Sequence, residues 1–203
     1  MMTNETSVKP IIEKLENLFA AINDRFYDGE LTKPVITVSP DTKGYYGWCT
    51  AWKAWMDEND GYYEINLCAE YLSRPFEEVA ETMMHEMVHL HNLQHGIKDT
   101  SRQGTYHNKN YKKAAEYHGL TVTKNDKYGW CETHLNDEAR KFLQSFEDTK
   151  FELHRKALPK KVKVTPKRQS KKYVCPICGS IVRSSDEVHI GCMDCMIVMV
   201  EAA

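Results

Sequence analysis

The chain has 203 residues, a formal net charge of −2 and an apolar share of 41%. That length holds one domain of ordinary size and a small appendage. No stretch approaches the ~20 apolar residues of a membrane span, which excludes a helical membrane protein.

The first nine residues lack the basic start and apolar core of a secretory signal, which predicts a cytoplasmic location. The seven cysteines are an odd number, unlike the dense, even set of a disulfide framework. Cys49, Cys68 and Cys131 are scattered and read as buried or half-buried thiols without a role. Charge is uneven along the chain. Residues 1–149 carry 16 Lys/Arg and 24 Asp/Glu, whereas residues 150–203 carry 11 and 5. A basic tail on an acidic body suggests a polyanionic partner.

Residues 8–28 predict an amphipathic helix with Ile11, Leu15, Leu18, Phe19, Ile22 and Phe26 on its buried stripe, ended by Asp28-Gly29. A short strand follows at 35–38, bounded by Pro34 and Pro40. Residues 45–55 are aromatic and β-prone, 57–61 read as a turn, and 62–67 as another strand. Residues 45–54 are the candidate sheet edge for binding an extended peptide by backbone hydrogen bonds.

The run from Phe76 to Leu90 predicts a helix. Ser73 is its expected N-cap, Pro75 suits the first turn, and Glu77 and Glu78 favour the positive end of the dipole. Val79, Met83, Met87 and Leu90 give an apolar face. Within this run lies His85-Glu86-Met87-Val88-His89, an HExxH pattern. Residues four apart share one helix surface, so His85 and His89 can offer two imidazoles to one ion. Glu86 is placed to act on a water held there. Zinc takes neutral imidazoles and, at catalytic sites, keeps one position open. It lowers the pKa of its water to about 7. An adjacent carboxylate can take that proton and pass it to a leaving amine.

A third ligand is needed. His95 fits the longer spacing HExxHxxGxxH, with Asn92 in the Gly place. His107 stands 18 residues after His89, at the expected start of a helix over 107–118 closed by Gly119. His91 and His118 read as surface or packing residues, and Glu116 is a weaker candidate. Residues 121–130 are extended or looped. Asn136 caps a final helix from Asp137 to about Phe146.

Composition shifts over residues 150–172, where ten residues are Lys or Arg and one is Glu, with Pro159 and Pro166 as breakers. This is a linker. Cys175-Pro-Ile-Cys178 and Cys192-Met-Asp-Cys195 then form two CxxC knuckles, which can supply four thiolates to one structural zinc. Gly179 and Gly191 beside them allow tight turns. So small a module needs the metal to fold.

Several stretches together resemble the SprT-like metallopeptidase family, which includes the Spartan proteases. They are Leu31-Thr-Lys-Pro-Val-Ile-Thr-Val, Glu64-Ile-Asn-Leu, His85-Glu-Met-Val-His89 and Tyr106-His107-Asn-Lys-Asn-Tyr111. The resemblance runs over about residues 10–148 and into the ribbon. It implies that His107 is the third ligand, with Tyr111 in the aromatic place and Asn108 where Gly is commoner. It further implies an α+β fold: a zincin-like metallopeptidase domain (8–148) of helices on a small antiparallel or mixed sheet, a basic linker (149–172) and a four-cysteine zinc ribbon (173–200).

The expected function is a zinc-dependent endopeptidase acting on proteins bound or crosslinked to DNA, in the cytoplasm or at the nucleoid. His85, His89 and His107 would hold the catalytic zinc, Glu86 would be general base, and Cys175, Cys178, Cys192 and Cys195 would hold a structural zinc. DNA, mainly single-stranded, would meet Lys160, Lys161, Lys163, Lys167, Arg168, Lys171 and Lys172 through phosphate-dominated contacts. The rival from another class is a nucleic-acid-binding or transcription-associated adaptor with a weak or silent protease centre. The intact Glu86 argues against silence.

Overall fold

The structure is a computed structural model that describes residues 6–41, 44–146, 150–156 and 170–202. The chain divides into two compact units, residues 1–157 and 158–203.

In the first unit, helix α1 (Lys9–Phe26) buries Ile11, Leu15, Leu18, Phe19 and Ile22, the stripe expected from their spacing. Asp28 and Gly29 follow with positive φ and end it. Strand β1 (Val35–Ser39) leads to β2 (Gly47–Cys49). A small hairpin, β3 (Trp55–Met56) and β4 (Gly61–Tyr62), precedes β5 (Glu64–Cys68). The expected strand over 62–67 is thus split at Tyr63. β5 is central: β1 pairs with it parallel and β2 antiparallel, a mixed sheet with β2 at one edge. The aromatic stretch 45–54 contributes only its three residues in β2 to that edge.

Helix α2 (Phe76–Gln94) lies against this sheet. Its N-cap position is Pro75, with no side-chain cap, so Ser73 does not serve. The residue before a helix must be extended, and Pro75 at ψ 142° already is. Burial goes beyond the predicted face. Ala80, Met84 and Val88 are as fully buried as Val79, Met83, Met87 and Leu90, because α2 is packed by the sheet on one side and by other helices elsewhere.

Beyond α2 the chain forms β6 (Thr100–Ser101), β7 (Tyr106–His107), α3 (Lys109–Tyr117), β8 (Leu120–Asn125) and β9 (Gly129–Leu135), with sheet order β6-β7-β9-β8. Residues 121–130 belong to the β8–β9 hairpin, whose second strand continues past the expected stretch. The Asn136 side chain caps α4 (Asp137–Leu143) by accepting from the Ala139 amide at 2.8 Å, and a 3₁₀ turn carries the chain to Phe146.

Residues 150–156, inside the stretch expected to be linker, pack on this unit. Phe151 is buried in its core, and the Arg155 amide donates to the Ala69 carbonyl at 3.0 Å. Phe151 is an apolar residue that charge counting passed over.

The second unit has β10 (Lys171–Val174) between β11 (Ile181–Ser184) and β14 (Val200–Ala202), with a hairpin of β12 (Gly191–Cys192) and β13 (Ile197–Val198). Lys171 and Lys172, assigned from sequence to the linker, are strand residues of this unit. Its small core comprises Tyr173, Cys175, Cys192 and Met199.

Candidate metal centre

Helical periodicity puts His85 and His89 on one surface of α2. The surprise is where His107 comes from. It does not open α3. It sits in β7, bonded on both sides: Thr100 of β6 is its antiparallel partner and Gly129 of β9 its parallel one. Asn108 follows as the N-cap of α3, its side chain accepting from the Asn110 and Tyr111 amides.

The three imidazoles converge. His107 Nε2 lies 3.3 Å from His85 Nε2 and 3.1 Å from His89 Nε2. Three nitrogens bound tetrahedrally to zinc at 2.0–2.1 Å would stand about 3.3 Å apart. The donor set therefore fits a zinc ion. Tyr111 is fully buried beneath it, its ring 4.5–5.0 Å from all three histidine rings.

Two of the three other ring nitrogens are held from behind, whereas His107 Nδ1 is buried without a hydrogen-bond partner among the described residues. With Nε2 turned inward, His85 Nδ1–H donates to Thr133 Oγ1 at 3.1 Å and His89 Nδ1–H to Asp99 Oδ2 at 2.7 Å. Sequence reading named neither Asp99 nor Thr133. Asp99 lies in a polar loop and Thr133 in a strand, and no local spacing marks either.

Electrostatics act differently on the three histidines. Burial, with the neighbouring His89 and His107, holds His85 well below the usual histidine range. Burial likewise pulls His107 down to about 4. Neutral imidazole is the form a metal binds. For His89, burial acts downward, but the Asp99 hydrogen bond and the Glu86 and Asp99 charges outweigh it and the net shift is upward.

Glu86 is buried, and burial lifts its pKa to about 7, against the opposing pull of His89 and the Cys49 amide. A carboxyl poised near neutrality is suited to both taking and returning a proton. Strand β2 runs past it. A Cβ added at Gly47 would lie 2.7 Å from the Asn66 carbonyl oxygen and 3.5 Å from Glu86 Cγ, so only a residue without a side chain lets the edge strand approach this closely.

The remaining histidines are elsewhere. His95 is the exposed C-cap of α2, its Nδ1 bonded to the His91 carbonyl at 2.8 Å. The longer HExxHxxGxxH spacing requires a turn at position 92, but Asn92 is a buried helical residue and the chain turns only after Gln94. His118 is buried, stacked on Tyr27 at 3.9 Å, with Nδ1–H donating to the Phe26 carbonyl. Glu116 pairs with Lys112 on the surface of α3.

In the second unit Cys175, Cys178, Cys192 and Cys195 bring their sulfurs within 4.8 Å of one another. The Cys178 and Cys192 sulfurs are 3.6 Å apart, near the ~3.8 Å expected for thiolates on a tetrahedral zinc. Gly179 follows the first knuckle with φ +75°, whereas Gly191 is an ordinary strand residue. In the second knuckle the matching left-handed position is held by Met196, at φ +51°.

Of the candidate DNA contacts, Lys160, Lys161, Lys163, Lys167 and Arg168 lie outside the described residues. Lys171 Nζ is paired with Glu187 at 3.1 Å and Glu201 at 3.3 Å. Among the scattered cysteines, burial pushes Cys68 up to about 12 and Cys49 well above the ordinary thiol value. No helix among the described residues is long and apolar enough to cross a membrane.

A helix carrying HExxH, a third histidine from strand β7 and a mixed sheet whose edge passes the glutamate define a zincin-like α+β domain. The model of the SprT-like family matches residues 15–127, and the chain belongs to that family. Searches of curated proteins and of solved structures gave no match.

Proposed function

We propose that the protein is a zinc-dependent endopeptidase acting on proteins bound or crosslinked to DNA. The observation that carries the peptidase part is the convergence of three imidazole nitrogens at 3.1–3.3 Å beside a buried glutamate. Zinc held by His85, His89 and His107 would supply a Lewis acid and a water of pKa about 7. The chain's own residues do the rest. Glu86 takes the proton from the attacking water and returns it to the leaving amine. The open edge of β2 aligns an extended substrate segment by backbone hydrogen bonds, one strand away from Glu86. Tyr111, buried under the imidazoles, keeps bulk water from their rear.

The DNA part rests on charge and on the family. Residues 150–169 carry eight Lys/Arg and one Glu, whereas residues 170–202 carry three and four. Positive charge is therefore concentrated in residues 150–169 rather than in the four-cysteine segment that follows. Phosphate contact there would weaken steeply with salt.

The test is cleavage of a DNA-binding protein, with and without single-stranded DNA, by the native chain and by Glu86→Gln. Cleavage that needs DNA and vanishes in Glu86→Gln is expected, with both zincs retained. Glu86-dependent cleavage indifferent to DNA would remove the DNA part. No cleavage by protein holding two zincs would favour the adaptor reading instead.

A further inference from the structure

Asp99 meets both halves of the histidine cluster. It is buried, and its Oδ2 accepts from His89 Nδ1–H at 2.7 Å and from Asn92 Nδ2 at 3.1 Å. Asn92 is three residues beyond His89 on α2, so helical geometry puts both donors on one face. Asn92 has no exposed surface, and its carbonyl is bonded by the Ile97 amide at 2.7 Å. The Asp99 backbone reaches the other way. Its carbonyl accepts from the Asn108 amide at 2.9 Å, next to His107, while Thr100 pairs with His107 itself. Asn108 and Asn110 side chains both donate to the Lys98 carbonyl at 2.9 Å, which pins the same segment.

We propose that Asp99, oriented by Asn92, is the positioning residue that fixes His89 for metal binding and ties it to His107. A histidine can present either ring nitrogen. Asp99 accepts a proton-bearing Nδ1 and so leaves the Nε2 lone pair facing the other two imidazoles. Such outer partners typically set metal affinity by 10–100-fold. The carboxylate cannot swing away, because Asn92 holds the same oxygen. The short backbone path through Asn108 keeps His89 and His107 in register, since neither can shift without moving Asp99. This proposal rests on the histidine cluster binding zinc.

The experiment measures zinc affinity at the two sites of the full chain by competition with a chromogenic chelator, the cysteine site serving as internal reference. Variants are Asp99→Ala, Asp99→Asn and Asn92→Ala. Asp99→Ala should weaken the histidine site about 100-fold. Asp99→Asn keeps an acceptor oxygen but no charge and should lose roughly a tenth of that factor, about 10-fold. Asn92→Ala should lose less. Cysteine-site zinc and the melting temperature of zinc-free Asp99→Asn should stay at native values, which separates positioning from general loosening. If Asp99→Ala does not fold, the other two variants decide. Folded variants with native affinity at the histidine site would overturn the proposal. A native chain that holds zinc only at its cysteines would overturn the metal reading, and the proposal with it.

Discussion

Replacing Gly129 by alanine should empty the histidine site while leaving the cysteine site intact. Gly129 opens β9 at φ +75° and faces His107 across the parallel β7–β9 bridge. A Cβ there would lie 2.1 Å from the His107 carbonyl oxygen and 2.9 Å from the Tyr106 ring. Carbon and carbonyl oxygen rest at about 3.3 Å or more, so the two strands must part by about 1 Å. Metal sites tolerate ligand errors of about 0.2 Å. The His107 backbone therefore moves beyond what the site can absorb. Alanine in the left-handed region costs about 1–2 kcal/mol, and relief of the clash adds about 1–3 kcal/mol. At ~2–4 °C per kcal/mol, melting should fall by roughly 4–20 °C. Zinc per chain, measured by atomic spectroscopy after mild chelation, should drop from two to one. Gly104 provides the control: its φ is +85° but a Cβ there meets nothing within 4 Å. Gly104→Ala should pay the conformational cost and keep both zincs. A Gly129→Ala protein that holds both zincs as tightly as the native chain would refute the coupling of this turn to His107.

Two further substitutions test other parts of the chain. Burial pulls His118 from an ordinary 6.5 to about 4. Its unfolded form therefore binds a proton between those values while the folded form does not, so stability is intact above 6.5 and is lost as pH falls towards 4. At pH 5 the loss attributable to His118 is roughly 2 kcal/mol. Urea unfolding at pH 7.5 and pH 5 should show this difference shrinking by that amount in His118→Gln. In the second unit Met196 holds a left-handed position with its side chain exposed. Met196→Gly should stabilise the zinc-loaded unit by about 1 kcal/mol, read as slower zinc release to a chelator; faster release would count against strain at that knuckle.

What the sequence determined by itself was local. The HExxH pair is legible because a helix repeats every 3.6 residues, so His85 and His89 must share a surface. The two CxxC knuckles are legible because each pair lies within a single turn of backbone. Asn136 is legible as a cap because capping involves only the next three residues. His107 was different: spacing alone left it level with His95, and only a resemblance favoured it. Tertiary structure separates them, since α2 runs unbroken through Asn92 and strands β6 and β9 clamp His107 from both sides. Asp99 and Thr133 had no sequence signal at all. They reach the histidines through strand pairing and a loop's closure, 10 and 48 residues from their partners, and no periodic pattern spans such gaps. The same holds for Phe151, a lone apolar residue in a basic stretch, whose place in the core depended on a pocket formed by elements far earlier in the chain.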